Sequence, residues 1–138
     1  VSKILLVDDD PDILETLRWA LVREGWDVDI ERDGAAALPL ARLVKPDLAI
    51  LDVMLPGLNG YELSRHLKAD MRAGQLAPFP ILMLTARRVS SSARLEFLDT
   101  WSGADSTLWK PFDLARLLAE VRTLLAGAAL DCSVEGAR

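Results

Sequence analysis

One cysteine stands in 138 residues, and no apolar run approaches the roughly 20 residues that a membrane span needs. The lone Cys132 has no partner for an internal disulfide; it reads as a free surface thiol and fits a reducing cytoplasm. No basic segment leads into an apolar stretch and a small-residue cleavage site, so export is not expected and the chain reads as soluble, with no membrane partner. Positive charge is also scarce. Sixteen Lys and Arg against 21 Asp and Glu give a formal net charge of -5 and a pI near 4.8. That balance opposes binding to a phosphate backbone, so no direct nucleic-acid contact is expected. No glycine-rich loop follows the first apolar run, which argues against a nucleotide-binding turn. Repeats and low-complexity blocks are missing too, and the length suits one domain with a substantial core.

What the sequence does have is a set of short apolar runs that end in reactive groups. KILLV runs into Asp8 and Asp9, DLAIL into Asp52, PILML into Thr85, and STLW into Lys110 and Pro111. Runs of about five apolar residues alternate with longer helical patterns, the mark of repeated strand-helix units and a parallel sheet covered on both faces. The expected strands are Lys3 to Val7, Asp27 to Glu31, Leu48 to Leu51, Ile81 to Leu84 and Ser106 to Trp109. The second alternates Val28 and Ile30 with acids and reads as an edge strand, whereas the third and fourth read as central.

Helices are expected from Pro11 to a cap at Gly25, from about Gly34 to Val44, from Asn59 or Gly60 to about Asp70, from about Ser91 to Trp101, and from Leu114 to Leu125. Pro39 removes a backbone donor inside the second helix and should shorten or kink it. Asp113 suits the N-cap of the last helix, whose core stripe is Leu117, Leu118, Val121, Leu124 and Leu125. Periodicity fades from about Ala126, so residues 127–138 read as a tail or the start of a linker after a domain at 1–126.

The fold class is therefore α/β, a flavodoxin-like doubly wound sheet of five parallel strands in the order 2-1-3-4-5 with five helices. In that order strands one and three are neighbours, which brings Asp8 and Asp9 beside Asp52 at the crevice where such sheets hold their ligands. Carboxylates this close repel, and they either take up a proton or recruit a cation; hard oxygen donors with room for water favour Mg²⁺. Lys110 adds a fixed positive charge and Thr85 a neutral donor. Such a set suits a nucleophile that accepts a phosphoryl group, and Asp52 is the candidate because it is central. Asp10 reads as a capping acid, Pro56, Gly57, Asn59 and Gly60 as turn formers, and His66, beside Arg65 and near Lys68, as part of a solvated face.

The combination of LLVDDD, LAILDVMLPGLNGYEL, ILMLTA, GAD and KPF, spread over residues 3 to 125, resembles the receiver domain of two-component response regulators. The resemblance implies that Asp52 takes a phosphoryl group from a sensor histidine kinase or a histidine phosphotransfer protein and controls a downstream effector. It implies that Asp9 binds Mg²⁺ directly and Asp8 through water, with Asp52 and the backbone carbonyl of Met54 completing the protein ligands. Thr85 and Lys110 would contact the phosphoryl oxygens, the small Ala86 would leave the approach open, and the bond from Lys110 to Pro111 would be cis. The domain would catalyse only its own phosphorylation and slow autodephosphorylation.

Three places depart from the family pattern. The position three before the Lys, where Tyr or Phe is usual, holds Thr107, and Trp109 shares its strand face. Trp109 is therefore the candidate to replace the missing aromatic as the moving or partner-facing group. The stretch from Arg87 to Trp109 is longer than usual. Ser106 and Glu120 stand where an acid and an Arg often pair across a dimer, so that dimer is not expected, and Trp101 and Trp109 instead offer an apolar patch for another partner. Two other readings compete. One is a receiver-fold binding module that works without phosphorylation. The other is an aspartyl-nucleophile phosphohydrolase, which Asp8 and Asp10 fit but Asp12 and the short length do not.

Overall fold

Each of the five apolar runs becomes a strand, because five residues alternating between the two sides of a sheet bury completely only when helices cover both faces. The computed structural model describes residues 1–55, 57–86 and 100–137. In chain order the elements are β1 (Lys3–Val7), α1 (Pro11–Arg23), β2 (Asp27–Glu31), α2 (Gly34–Val44), β3 (Leu48–Asp52), α3 (Gly60–Arg72), β4 (Ile81–Ala86), α4 (described at residues 100–102), β5 (Ser106–Lys110) and α5 (Leu114–Ala137). The strands pair in parallel in the order β2-β1-β3-β4-β5, which puts β2 at an edge and β3 in the centre. Among the described residues no helix is long and apolar enough to cross a membrane.

Strand alternation divides the core in two. Leu5, Val7, Ala49, Leu51, Ile81 and Met83 face one way and meet Ala37 and Ala41 of α2 and Leu63 and Leu67 of α3. Ile4, Leu6, Leu48, Ile50, Leu82 and Leu84 face the other way, against Leu14, Leu17 and Leu21 of α1 and Leu117 and Val121 of α5. The helix starts are capped as their sequences require. Asp10 accepts from the Asp12 amide, Asp33 from Ala35, Asn59 from Glu62 and Asp113 from Arg116, all at 2.7 to 3.0 Å.

Several boundaries lie beyond the expected ones. Pro39 sits inside α2 without shortening it, since one lost ladder bond is outweighed by the burial of Ala37 and Ala41 on either side. Strands β3, β4 and β5 run on through Asp52, Ala86 and Lys110, because their ladders continue: Asp52 pairs with Leu84, Thr85 with Trp109 and Ala86 with Lys110. α3 reaches Arg72, and α5 reaches Ala137 rather than Leu125, through an Ala-rich stretch with no proline to stop it. The expected helix from Ser91 to Trp101 and the lengthened stretch around it lie outside the described residues except at 100–102.

Gly60 decides how α3 sits on the sheet. A Cβ there would collide with the carbonyl of Asp52 and stand 2.9 Å from the Cα of Val53, both backbone atoms that have no side-chain freedom to yield. The first turn of α3 is thereby seated directly on the end of β3, with the Gly60 amide donating to the Val53 carbonyl at 3.0 Å. Gly60→Ala is expected to lower stability by about 2 kcal/mol in urea denaturation, the usual cost of overpacking. Gly127→Ala, where a Cβ meets nothing within 4 Å, is expected to raise it by up to about 1 kcal/mol through helix propensity.

Candidate functional site

The C-terminal ends of β1, β3, β4 and β5 converge as strand order requires, and four of the residues singled out in the sequence meet there. Asp8 follows β1 and is fully buried, Asp52 ends β3 at 3% exposure, and Thr85 lies near the end of β4 at 2% exposure. Lys110 ends β5, and its Nζ stands 3.1 Å from Asp52 Oδ1 and 3.7 Å from Asp8 Oδ2. Asp9 is exposed at the rim, and one carboxylate oxygen from each of Asp8, Asp9 and Asp52 lies within 4.8 Å of the others. The Lys110–Pro111 peptide is cis.

Backbone bonds hold these groups in place. The Asp8 amide donates to the Glu31 carbonyl at 3.1 Å and the Val53 amide to the Leu84 carbonyl at 3.0 Å. The loop after β3 turns back on itself, with the amides of Leu55 and Gly60 both donating to the Val53 carbonyl at 3.0 Å. Met54 lies in this loop with its side chain exposed. Asp10 behaves as the capping acid the sequence implied, and its own amide donates to Asp8 Oδ1 at 3.0 Å.

Asp8 is the strained member of the cluster. Burial raises its pKa from 3.8 to about 6; the Asp10 amide opposes the rise, the Asp52 charge adds to it, Lys110 opposes it and Asp9 adds to it. Its Oδ2 is buried and accepts no hydrogen bond, although Lys110 stands 3.7 Å away. A buried carboxylate oxygen without a donor, among three carboxylates within reach of one another, is the donor set a hard divalent cation satisfies. The acidic cluster therefore fits a metal.

The output side is arranged less simply. Thr107 and Trp109 are both half-buried on β5, and Trp109 is the register partner of Thr85, so the two side chains lie on the same face of adjacent strands. Trp101 does not simply add an apolar patch: the Arg65 guanidinium lies 4.7 Å from its ring centre and donates to its carbonyl at 3.3 Å. Ser106 donates to Glu120 at 2.7 Å, so the two residues that break the usual dimer pattern satisfy each other within the chain. His66 is exposed on α3. A cavity of about 420 Å³ opens beside Lys110, lined by Ile13, Thr16, Leu17, Phe112 and Leu114.

Sequence reasoning missed Gly60 as a spacer and the end of β2 as a support. An Asn-Gly pair signals a turn, but nothing in its type reveals that the carbonyl of Asp52 lies where a Cβ would be. No sequence signal singled out Glu31 or Arg32, yet the Glu31 carbonyl holds Asp8 and the Arg32 Nη2 donates to the Asp9 carbonyl at 3.2 Å.

Comparison with known proteins agrees with this geometry. The family model of the response regulator receiver domain matches residues 4–122. The DNA-binding response regulator MtrA of Mycolicibacterium smegmatis is 42% identical over 124 residues, which cover 90% of this chain and 50% of MtrA. Response regulator MprA of Mycobacterium tuberculosis is 45% identical over 123 residues, covering 89% of this chain and 50% of MprA. The chain thus spans about half the length of the curated relatives it matches. Among solved structures, the BeF3-activated N-terminal receiver domain of Klebsiella pneumoniae RstA is 33% identical with a TM-score of 0.76, covering 89% of this chain and 97% of that one. Vibrio cholerae chemotaxis protein CheY4 is 31% identical with a TM-score of 0.76, covering 90% of this chain and 98% of that one.

The crowding of Asp8 has a measurable consequence. Its folded pKa lies above its ordinary value, so ionisation opposes folding: the penalty is absent below about 3.8, grows as pH rises toward about 6 and is complete above that. Without divalent cation, Asp8→Asn is expected to be more stable than the unsubstituted chain at pH 8, and the advantage should disappear near pH 4. Urea denaturation at the two pH values measures the difference, and added Mg²⁺ should narrow it at pH 8 by stabilising only the chain that binds it well.

Proposed function

The chain belongs to the response regulator receiver domain family, and on that footing we propose that it is a phosphoryl-accepting signalling switch in which Asp52 is the acceptor. The carrying observation is the placement of Asp52: buried at the end of the central strand, 3.1 Å from the Lys110 ammonium and within reach of Asp8 and Asp9. Transfer breaks the N–P bond of a phosphohistidine and forms an O–P bond to an Asp52 carboxylate oxygen. Autodephosphorylation breaks that O–P bond by attack of water, releasing inorganic phosphate and restoring the carboxylate.

Asp8, Asp9, Asp52 and the backbone carbonyl of Met54 are the groups that would hold Mg²⁺, which when bound offsets charge on the transferred oxygens. Lys110 supplies the second positive charge, and its bond to Asp52 Oδ1 orients the carboxylate before reaction. Thr85, buried beside this pair, is placed to donate its hydroxyl to a phosphoryl oxygen once one is present. Donor and acceptor chemistry assign the partners: a sensor histidine kinase or histidine phosphotransfer protein upstream and an effector domain or protein downstream. The cavity beside Lys110 is apolar enough to seat part of a donor protein's surface. We infer a cytoplasmic setting, where such partners would meet the chain.

Output runs through Trp109. Thr107 is too small to sweep between core and surface, whereas Trp109 stands across the ladder from Thr85, on the same face of the sheet. A receiver-fold module that binds partners without phosphorylation remains the competing reading, favoured by Thr107 alone.

Incubation with acetyl phosphate and Mg²⁺ is expected to add the mass of one phosphoryl group, and Asp52→Asn or removal of Mg²⁺ should abolish the gain. No gain in the unsubstituted chain would favour the competing module. In a variant with Trp19, Trp26 and Trp101 replaced by Phe, the emission maximum of Trp109 should shift when Mg²⁺ and beryllium fluoride are added together. Emission that stays unchanged while the protein binds the mimic removes Trp109 from the switch.

A further inference from the structure

Arg32 follows β2 and is exposed, yet its guanidinium is turned onto the acidic loop, where Nη2 donates to the Asp9 backbone carbonyl at 3.2 Å. Its own position is fixed from behind. The amides of Arg32 and Asp33 both donate to Glu31 Oε2, at 2.9 and 3.2 Å, and the Glu31 carbonyl accepts from Asp8. The end of β2 therefore holds the peptides of both Asp8 and Asp9. It also sets a cation at the rim of the site on the opposite flank from Lys110, since β2 and β5 are the two edges of the sheet.

We propose that the fixed charge of Arg32 weakens divalent-cation binding to the resting site. The inference rests on the reading of Asp8, Asp9 and Asp52 as the cation ligands. The bond of Arg32 goes to a carbonyl and not to a carboxylate, so a cation entering the carboxylate cluster does not displace it. An incoming divalent ion therefore meets one further positive charge, anchored on the Asp9 peptide, a repulsion that amounts to a several-fold loss of affinity in hydrated surroundings. A phosphoryl group on Asp52 brings up to about two negative charges into the same space. Their pull on the cation exceeds the single repulsion from Arg32, which itself persists.

The test is titration of Mg²⁺ alone into the whole chain, followed by backbone amide shifts at about 20 mM and about 0.5 M salt, where screening is weak and strong respectively. Arg32→Ala is expected to bind Mg²⁺ about three-fold more tightly at low salt, with the gain largely gone at high salt, and Arg32→Lys should stay near the unsubstituted chain. Arg72→Ala removes the same charge at the far end of α3 and should change nothing; an equal gain there overturns the proposal. Unchanged or weaker binding in Arg32→Ala also overturns it, because a residue that only props the loop would lose affinity when removed. If the unsubstituted chain shows no Mg²⁺ response, or one that survives in Asp9→Asn, the acids are not the cation ligands and the inference falls with that reading.

Discussion

Lys110 Nζ stands 3.1 Å from Asp52 and 3.7 Å from Asp8, and it is the only compensation that these two buried carboxylates receive from a side-chain cation among the described residues. Burying a carboxylate is costly unless it is paired or hydrogen-bonded, and the rise in the Asp8 pKa to about 6 shows that pairing here is incomplete. The arrangement persists because the sheet beneath it is buried on both faces, from Ile4 through Leu84. A core of that kind tolerates a poorly satisfied end without rearranging. Incomplete compensation also keeps the site receptive: a fully neutralised cluster would have no affinity left for a divalent ion.

Strand order and register do the rest of the positioning. Parallel pairing of β3 with both β1 and β4 gathers groups from distant stretches of chain at one rim, and the ladders that carry β3, β4 and β5 through Asp52, Ala86 and Lys110 make those side chains parts of the sheet. Loops add finer control. The turn between Val53 and Gly60 folds onto the end of β3, and the end of β2 reaches across to the peptides of Asp8 and Asp9.

Much of this was legible in the sequence because its signals were local. Short apolar runs fixed the strands, alternation of Val28 and Ile30 with acids put β2 at an edge, and a polar residue after each run put Asp8, Asp52, Thr85 and Lys110 in one place. Legibility ended where a residue's role depends on what another segment brings to it. Gly60 looked like turn chemistry and Trp101 like a patch residue, whereas the first seats α3 on β3 and the second carries Arg65 against its ring; nothing in the sequence singles out Arg32, which bonds the Asp9 carbonyl. Pro39 erred in the other direction, because propensity counts the lost bond and not the burial around it. The end of α5 was set too early for a related reason: weakened periodicity does not by itself stop a helix, and α5 runs to Ala137.

Asp105 and α3 give β5 a mechanical character. Asp105 Oδ2 accepts from the Ile81 amide and from Lys68 Nζ, both at 2.7 Å, while Ser64 donates to the Ser102 carbonyl at 2.8 Å. The strand therefore enters the sheet through a joint riveted to both β4 and α3, and leaves it at Lys110, whose ammonium faces the Asp52 and Asp8 carboxylates. Such a strand is clamped at its entry by side-chain bonds and held along its length by the β4 ladder, which pairs Thr85 with Trp109 and Ala86 with Lys110. Trp109 lies at the site end of the strand and Thr107 nearer the Asp105 joint, so the two ends of β5 are fastened by different kinds of bond.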